Sequence, residues 1–160
     1  MATNNAINLL EPIPSCASKN NADQVDVTGN GTVYAIQYTN EIYDNGNNFD
    51  AVSTFTAPRA GLYLVTTSYW ISGVAGHTDC RAYLKSGGAT HFFFINNPTS
   101  GTWYTNSHRT VSSTVCYAGA GQDILIYLLV SGGAKVIDLQ GATASAYDTP
   151  YVSITFLTGL

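Results

Sequence analysis

One stretch constrains this chain more than any other: Phe55-Thr56-Ala57-Pro58-Arg59-Ala60-Gly61-Leu62-Tyr63-Leu64. An aromatic-led strand runs up to Ala57. Proline presets φ and glycine admits φ > 0, so Pro58 and Gly61 predict a tight corner. A second strand then starts at Leu62 and Tyr63. Phe55, Pro58, Gly61 and Tyr63 form the structural corner in this reading, with Gly61 at φ > 0 and Arg59 pointing to solvent.

The rest of the chain repeats the theme of short strands and turns. Asn30-Gly31 and Asn45-Gly46 are strong turn signals. Strands are expected at residues 33–38, 52–57, 62–71, 81–85, 91–95, 110–117, 124–130, 136–139 and 151–157. No segment offers a capped helix of useful length. Many strands punctuated by glycine turns predict an all-β, antiparallel two-sheet sandwich of the jelly-roll kind. Residues 1–25 read as an extended N-terminal arm and 26–160 as the sandwich domain. Within the arm, Leu9, Leu10 and Ile13 form an apolar patch stiffened by Pro12 and Pro14, suited to docking into a partner; residues 15–24 read as a polar linker.

The corner and its surroundings spell N-[YF]-D-x(4)-F-T-A-P-x-x-G-x-Y, from Asn48-Phe49-Asp50 to Tyr63. This pattern resembles the globular head domain of complement C1q and its tumour-necrosis-factor-like relatives. Leu84, Gly121-Gln122-Asp123-Ile124 and the terminal Val152 to Leu157 run extend the resemblance over roughly residues 30–160. It implies a trimeric jelly roll that binds things rather than turning them over. It implies no calcium ligand, because no matching motif is present.

Two strands carry apolar residues on both faces. Leu62 and Leu64 lie on one side of their strand, and Tyr63, Val65 and Tyr69 on the other. Residues 124–130, Ile-Leu-Ile-Tyr-Leu-Leu-Val, have no polar face at all. A lone sandwich solvates one face of each strand, so double-sided burial needs another layer. With no helix in sight, a neighbouring subunit is the economical source, which predicts a homotrimer.

Charged residues are 10% of the chain, against the usual quarter, and the formal charge is −4. Six lysines and arginines make no basic stripe, so nucleic-acid binding lacks its electrostatic driving force. No run approaches the ~18 apolar residues of a membrane span. Cys16, Cys80 and Cys116 fit neither a zinc site nor a disulfide framework and read as buried thiols.

Chemistry is sparse. No G-x-S-x-G elbow occurs. The loop from Asp44 to Asp50 lacks the register and closing glutamate of a calcium loop and reads as an Asx-turn connection. No cofactor, metal or catalytic residue is expected. Trp103 and Tyr104, beside small hydroxyl residues, are the candidate ligand loop, since flat aromatics suit sugar faces and protein hot spots. These features predict a non-enzymatic trimeric structural or binding protein on a particle surface. The expected setting is a bacteriophage virion: a capsid decoration protein, head fibre or fibre tip, made in the host cytoplasm and attached to a larger assembly by its arm. The alternative is a carbohydrate- or receptor-binding module of a bacterial surface protein, with a surface glycan or receptor as partner.

Overall fold

The computed structural model of the chain describes residues 12–96, 106–141 and 150–159. Among these residues there are twelve strands and no helix long and apolar enough to cross a membrane. The strands are β1 (Ser15–Lys19), β2 (Gln24–Thr28), β3 (Val33–Ala35), β4 (Asn40–Asn45), β5 (Thr54–Thr56), β6 (Gly61–Ser72), β7 (Asp79–Ser86), β8 (Ala89–Asn96), β9 (Ser107–Ala118), β10 (Asp123–Ser131), β11 (Ile137–Leu139) and β12 (Tyr151–Thr158).

They form two antiparallel sheets. One follows the order β2-β11-β6-β12-β1-β4, with β9 on the other side of β6; the second follows β3-β10-β7-β8, with β5 also on β10. β6 is the spine of the first sheet. Its pairing with β9 runs unbroken from Gly61↔Ala118 to Ser72↔Ser107. Alternation explains its placement. Tyr63, Val65, Tyr69 and Ile71 are buried in the core, while Leu62, Leu64, Thr66 and Trp70 face outward. In β10, Ile124, Ile126, Leu128 and Val130 are buried in the same core. Fully burying side chains of this size contributes roughly 1.5–3 kcal/mol each.

Polar groups inside the core differ in their pairing: the Tyr69 hydroxyl is buried with no hydrogen-bond partner among the described residues, whereas Tyr38 is fully paired. Tyr38, fully buried, exchanges a hydrogen bond with Thr67 Oγ1 at 2.6 Å, and its carbonyl accepts one from Ser18 Oγ. Burial raises the Tyr38 hydroxyl's pKa, with Thr67 acting against the shift, so the phenol stays neutral and available as a donor.

Three expectations need correction. Residues 15–24, read as a linker, contain β1, which sits between β12 and β4, and the start of β2. Cys16 and Ser18 are buried there, and the strand's small side chains fit between two neighbours. The sandwich therefore begins ten residues earlier than residue 25 among the described residues. β4, read as loop, is a polar strand at the sheet's edge, where side chains need not be apolar. The strand expected over 33–38 is regular only to Ala35, although Ile36 and Tyr38 beyond it are buried and Ile36 N–H donates to the Ile126 carbonyl.

Candidate functional site

No nucleophile emerges from the described residues. Burial, reinforced by Asp44 and Glu41, pushes the Cys16 thiol up to about 12; burial and Asp79 push Cys80 up to about 12; burial also raises Cys116. Thiols held protonated at neutral pH are inert structural cysteines. The surface is more informative than the interior, and two places on it stand out.

The first is the outer face of β6, β9 and β12. Register places Leu62 opposite Tyr117, Leu64 opposite Val115 and Ser68 opposite Val111. Val111, Val115, Tyr117 and Leu64 are 63%, 46%, 47% and 37% exposed. Between them lie hydroxyls: Thr66 and Ser113 are bonded at 2.8 Å, and Ser153 and Thr155 continue the face on β12. Arg109, stacked over Trp70 at 4.5 Å, bounds it at one end. From Leu62 to Thr66 and from Val111 to Tyr117 the face carries no charge. A contiguous apolar and hydroxyl patch of this kind marks a contact surface.

The second is the Pro58 corner. Phe55 and Tyr63 are fully buried, their rings 5.7 Å apart edge to face, and Tyr63 meets Phe156 the same way at 5.3 Å. Tyr63 donates its hydroxyl to the Arg59 carbonyl at 2.6 Å, which ties the corner to its own strand. Gly61 opens β6 at φ 158°, a positive φ that L side chains rarely adopt, as the corner requires. Space demands glycine as well: a Cβ there would strike the Thr158 carbonyl and lie 2.6 Å from Phe156 Cε2. Arg59 does not simply point to solvent; its guanidinium lies over the Phe156 ring at 4.1 Å.

Two shallow hollows flank this corner. One, of about 220 Å³, is lined by Pro12, Pro14, Asn45, Gly46, Asn48, Pro58 and Arg59. The other, of about 540 Å³, shares Asn48 and Pro58 and reaches Asn47, Asp50, Thr56 and Gly121. The loop between β4 and β5 that shapes both is held by carboxylates. Asp44 Oδ2 accepts from Phe49 N–H at 2.7 Å, and Asp50 Oδ1 accepts from the N–H groups of Val52, Ser53 and Thr54. Burial pushes the Asp50 carboxyl up, but those backbone donors outweigh it and hold the group below its ordinary value.

Of the residues singled out in the sequence, Phe55, Pro58, Gly61 and Tyr63 come together at this corner. Ile13 is exposed next to Pro12 and Pro14, and the Pro14 carbonyl accepts from Phe156 N–H. Leu9, Leu10, Trp103 and Tyr104 lie outside the described residues. Sequence reasoning missed Arg59 as a site residue. The aromatic at position 156 was visible, but nothing local said that the two ends of the domain meet there.

The arrangement matches known structures. The globular domain of zebrafish complement 1qA superposes with a TM-score of 0.60 at 12% identity, covering 92% of this chain and 99% of that one. Murine APRIL gives 0.56 at 13% identity, over 91% and 100%. The PRD1 vertex protein P5 gives 0.55 at 8% identity, over 92% and 99%. No family model matches the sequence, and no curated protein matches it. At these identities the likeness is one of fold: the chain is an all-β jelly roll of the C1q and tumour-necrosis-factor-like kind.

Proposed function

We propose that this chain is a non-enzymatic structural and binding module that assembles as a homotrimer on the surface of a larger particle. The observation that carries the reading is the uncharged apolar face of Leu62, Leu64, Val111, Val115 and Tyr117. Left in water it is an association hazard; covered by a second copy, it becomes the missing layer. The fold it shares with complement 1qA and APRIL supports the module, and the likeness to a vertex protein supports the particle. The finer reading is a bacteriophage virion component: a capsid decoration protein, head fibre or fibre tip. Sedimentation at micromolar concentration is expected to give about three chains; a stable, soluble monomer overturns the reading.

The apolar segment with Leu9 and Leu10 supplies the attachment. Pro14 is fixed to β12 through its carbonyl, so the residues before it start from an anchored point. Deleting residues 1–11 is expected to leave the folded assembly intact and abolish its co-sedimentation with the parent particle. Three arms on a trimer bind by avidity even where one binds weakly. Unchanged occupancy after the deletion removes the arm from this role. Deleting residues 1–20 is a different experiment, because it takes β1 out of the sheet.

A further inference from the structure

We propose that the hollow beside Pro58 binds the carboxylate of an acidic sugar, with Arg59 as the group that receives it. Arg59 is the anchor of the argument. Its guanidinium is held over Phe156, which is itself fixed by its edge contact with Tyr63 and by the backbone bond to Pro14. Among the described residues it has no ion pair and its side chain makes no hydrogen bond; its Nε is buried without a partner. A guanidinium is always charged, and its planar fork matches a two-oxygen anion. Held in place with its donors unspent among the described residues, it is prepared for such a ligand.

The walls say what carries the carboxylate. The hollow, about 220 Å³, is below the ~300–1,000 Å³ of sites for drug-sized molecules and suits a single ring. Pro12, Pro14 and Pro58 give it apolar flanks. Asn45 donates its Nδ2 to Ser15 Oγ at 2.9 Å, and Asn48 donates its Nδ2 to the Asn45 carbonyl at 3.1 Å. Both amides are thereby oriented, and neither Oδ1 takes a hydrogen bond from a described residue. Two oriented amides in the wall of a small space suit sugar hydroxyls. Gly46, at φ 104°, makes room for this, since a Cβ there would lie 2.6 Å from Asn48 Nδ2. Apart from Asn45 at the end of β4, the hollow is built from loop and proline segments, which offer a peptide backbone little to pair with. The larger hollow beyond Asn48 and Pro58 offers space for a neighbouring sugar unit, and Asp50 on its wall favours an uncharged one.

The test is titration of the full chain, followed by NMR or calorimetry, with glucuronate and galacturonate against glucose and galactose. Hydrogen bonds to charged groups contribute about 1.5–3 kcal/mol, which is roughly 10- to 100-fold in affinity. Saturable binding of the uronates, at least about tenfold tighter than of the neutral sugars, is the expected result. Arg59→Gln should erase that preference, and Asn48→Ala should weaken both sugar classes while keeping it. Equal binding of acidic and neutral sugars, or no saturable binding of the uronates at tens of millimolar, overturns the proposal. If Arg59→Gln fails to fold because Phe156 loses its cover, the acid-to-neutral comparison on the unaltered protein and the Asn48→Ala variant decide. The inference rests on the corner and not on assembly, so a monomer in sedimentation leaves it standing, and a failed titration leaves the trimer standing.

Discussion

The outer faces of the two sheets began as equals in the sequence and ended as opposites. Both β6 and β10 carry large apolar residues on the side away from the core. On β10 these are Leu125, Tyr127 and Leu129, and each is only half-exposed. The sheet covers them with its own side chains. Tyr83 stacks on Tyr127 at 5.5 Å, Lys85 sits over the same ring, and Arg81 pairs with Asp79 at 2.9 Å. On β6 and β9 nothing comparable happens among the described residues: Leu64, Val111, Val115 and Tyr117 are exposed, and Arg109 lies at the margin on Trp70. An apolar outward run is thus no sign of an interface by itself. What matters is whether the neighbouring strand supplies long amphipathic side chains to lie over it. The run at 124–130, read in the sequence as a second sign of a missing layer, is largely covered within one subunit.

The harshest way to break this comparison is to put charge on each face in turn. Val115→Asp or Leu64→Asp should destroy association, taking the sedimenting mass from about three chains to one. Leu129→Asp should leave the mass unchanged and cost about 1–2 kcal/mol of stability, as a partly covered substitution does. If Leu129→Asp dissociates the assembly and Val115→Asp does not, the faces have been assigned the wrong way round.

Gly61→Val is expected to have the next largest effect, because it disturbs the strand that carries the open face. The added side chain meets the backbone of β12, which cannot swing aside as a flexible side chain would. Overpacking of this kind costs about 1–3 kcal/mol and often more where backbone must shift. Thermal melting should fall by several degrees or more. Pro58→Ala, at an exposed position, should cost only about 0.4–1 kcal/mol through the looser unfolded chain. Equal melting of Gly61→Val and the unaltered protein would refute the close approach.

Two cation–aromatic contacts allow a finer comparison. Arg59→Ala removes the guanidinium from Phe156, and Lys85→Ala removes the ammonium from Tyr127. Such contacts contribute about 0.5–1 kcal/mol when exposed and about 2 when desolvated. The shorter 4.1 Å contact of Arg59, whose Nε is buried, should be the costlier loss in chemical denaturation. A larger loss for Lys85→Ala would mean that the second sheet depends on its cover more than the corner does on its stack.

Much of this was legible in the residues, and the failures share a cause. The residues at 62–71 and 124–130 announced the strands β6 and β10, but with both faces apolar nothing in them said which set turns inward. Pro58 and Gly61 marked the corner and its positive φ, yet a second reason for glycine lay in Thr158, nearly a hundred positions away. β1 was invisible because Ser15-Cys16-Ala17-Ser18-Lys19 has no strong strand propensity; it is a strand because β12 and β4 offer it backbone partners on both sides. β4 was hidden by the polarity that an edge strand can carry. The hollow by Arg59 draws on residues 12–14, 45–48 and 58–59, and no local pattern announces that these three segments converge.

The smallest expected effect concerns pH, and it separates the open face from the fold beneath it. The stretch from Leu62 to Thr66 with Val111 to Tyr117 holds no Asp, Glu, His, Lys or Arg, so association there should not change between pH 8 and 5. The fold should respond instead. Burial lowers the His108 pKa from its ordinary 6.5, so the folded chain holds that proton less tightly than the unfolded one. The stability this contributes is full above pH 6.5 and is lost as pH falls from there through the folded value. Asp50 is also lowered, from 3.8, so its contribution is full above that value and drains away as pH falls through its folded pKa. Because Asp50 is largely exposed, its step should be small. Melting temperature measured from pH 8 to 3 should therefore decline in two stages, with Asp50→Asn flattening the lower one. Sedimentation over the same range should stay at about three chains until melting itself intrudes. Folded monomers appearing near pH 6 would place a titrating group within the contact, and the uncharged face would then be only part of it.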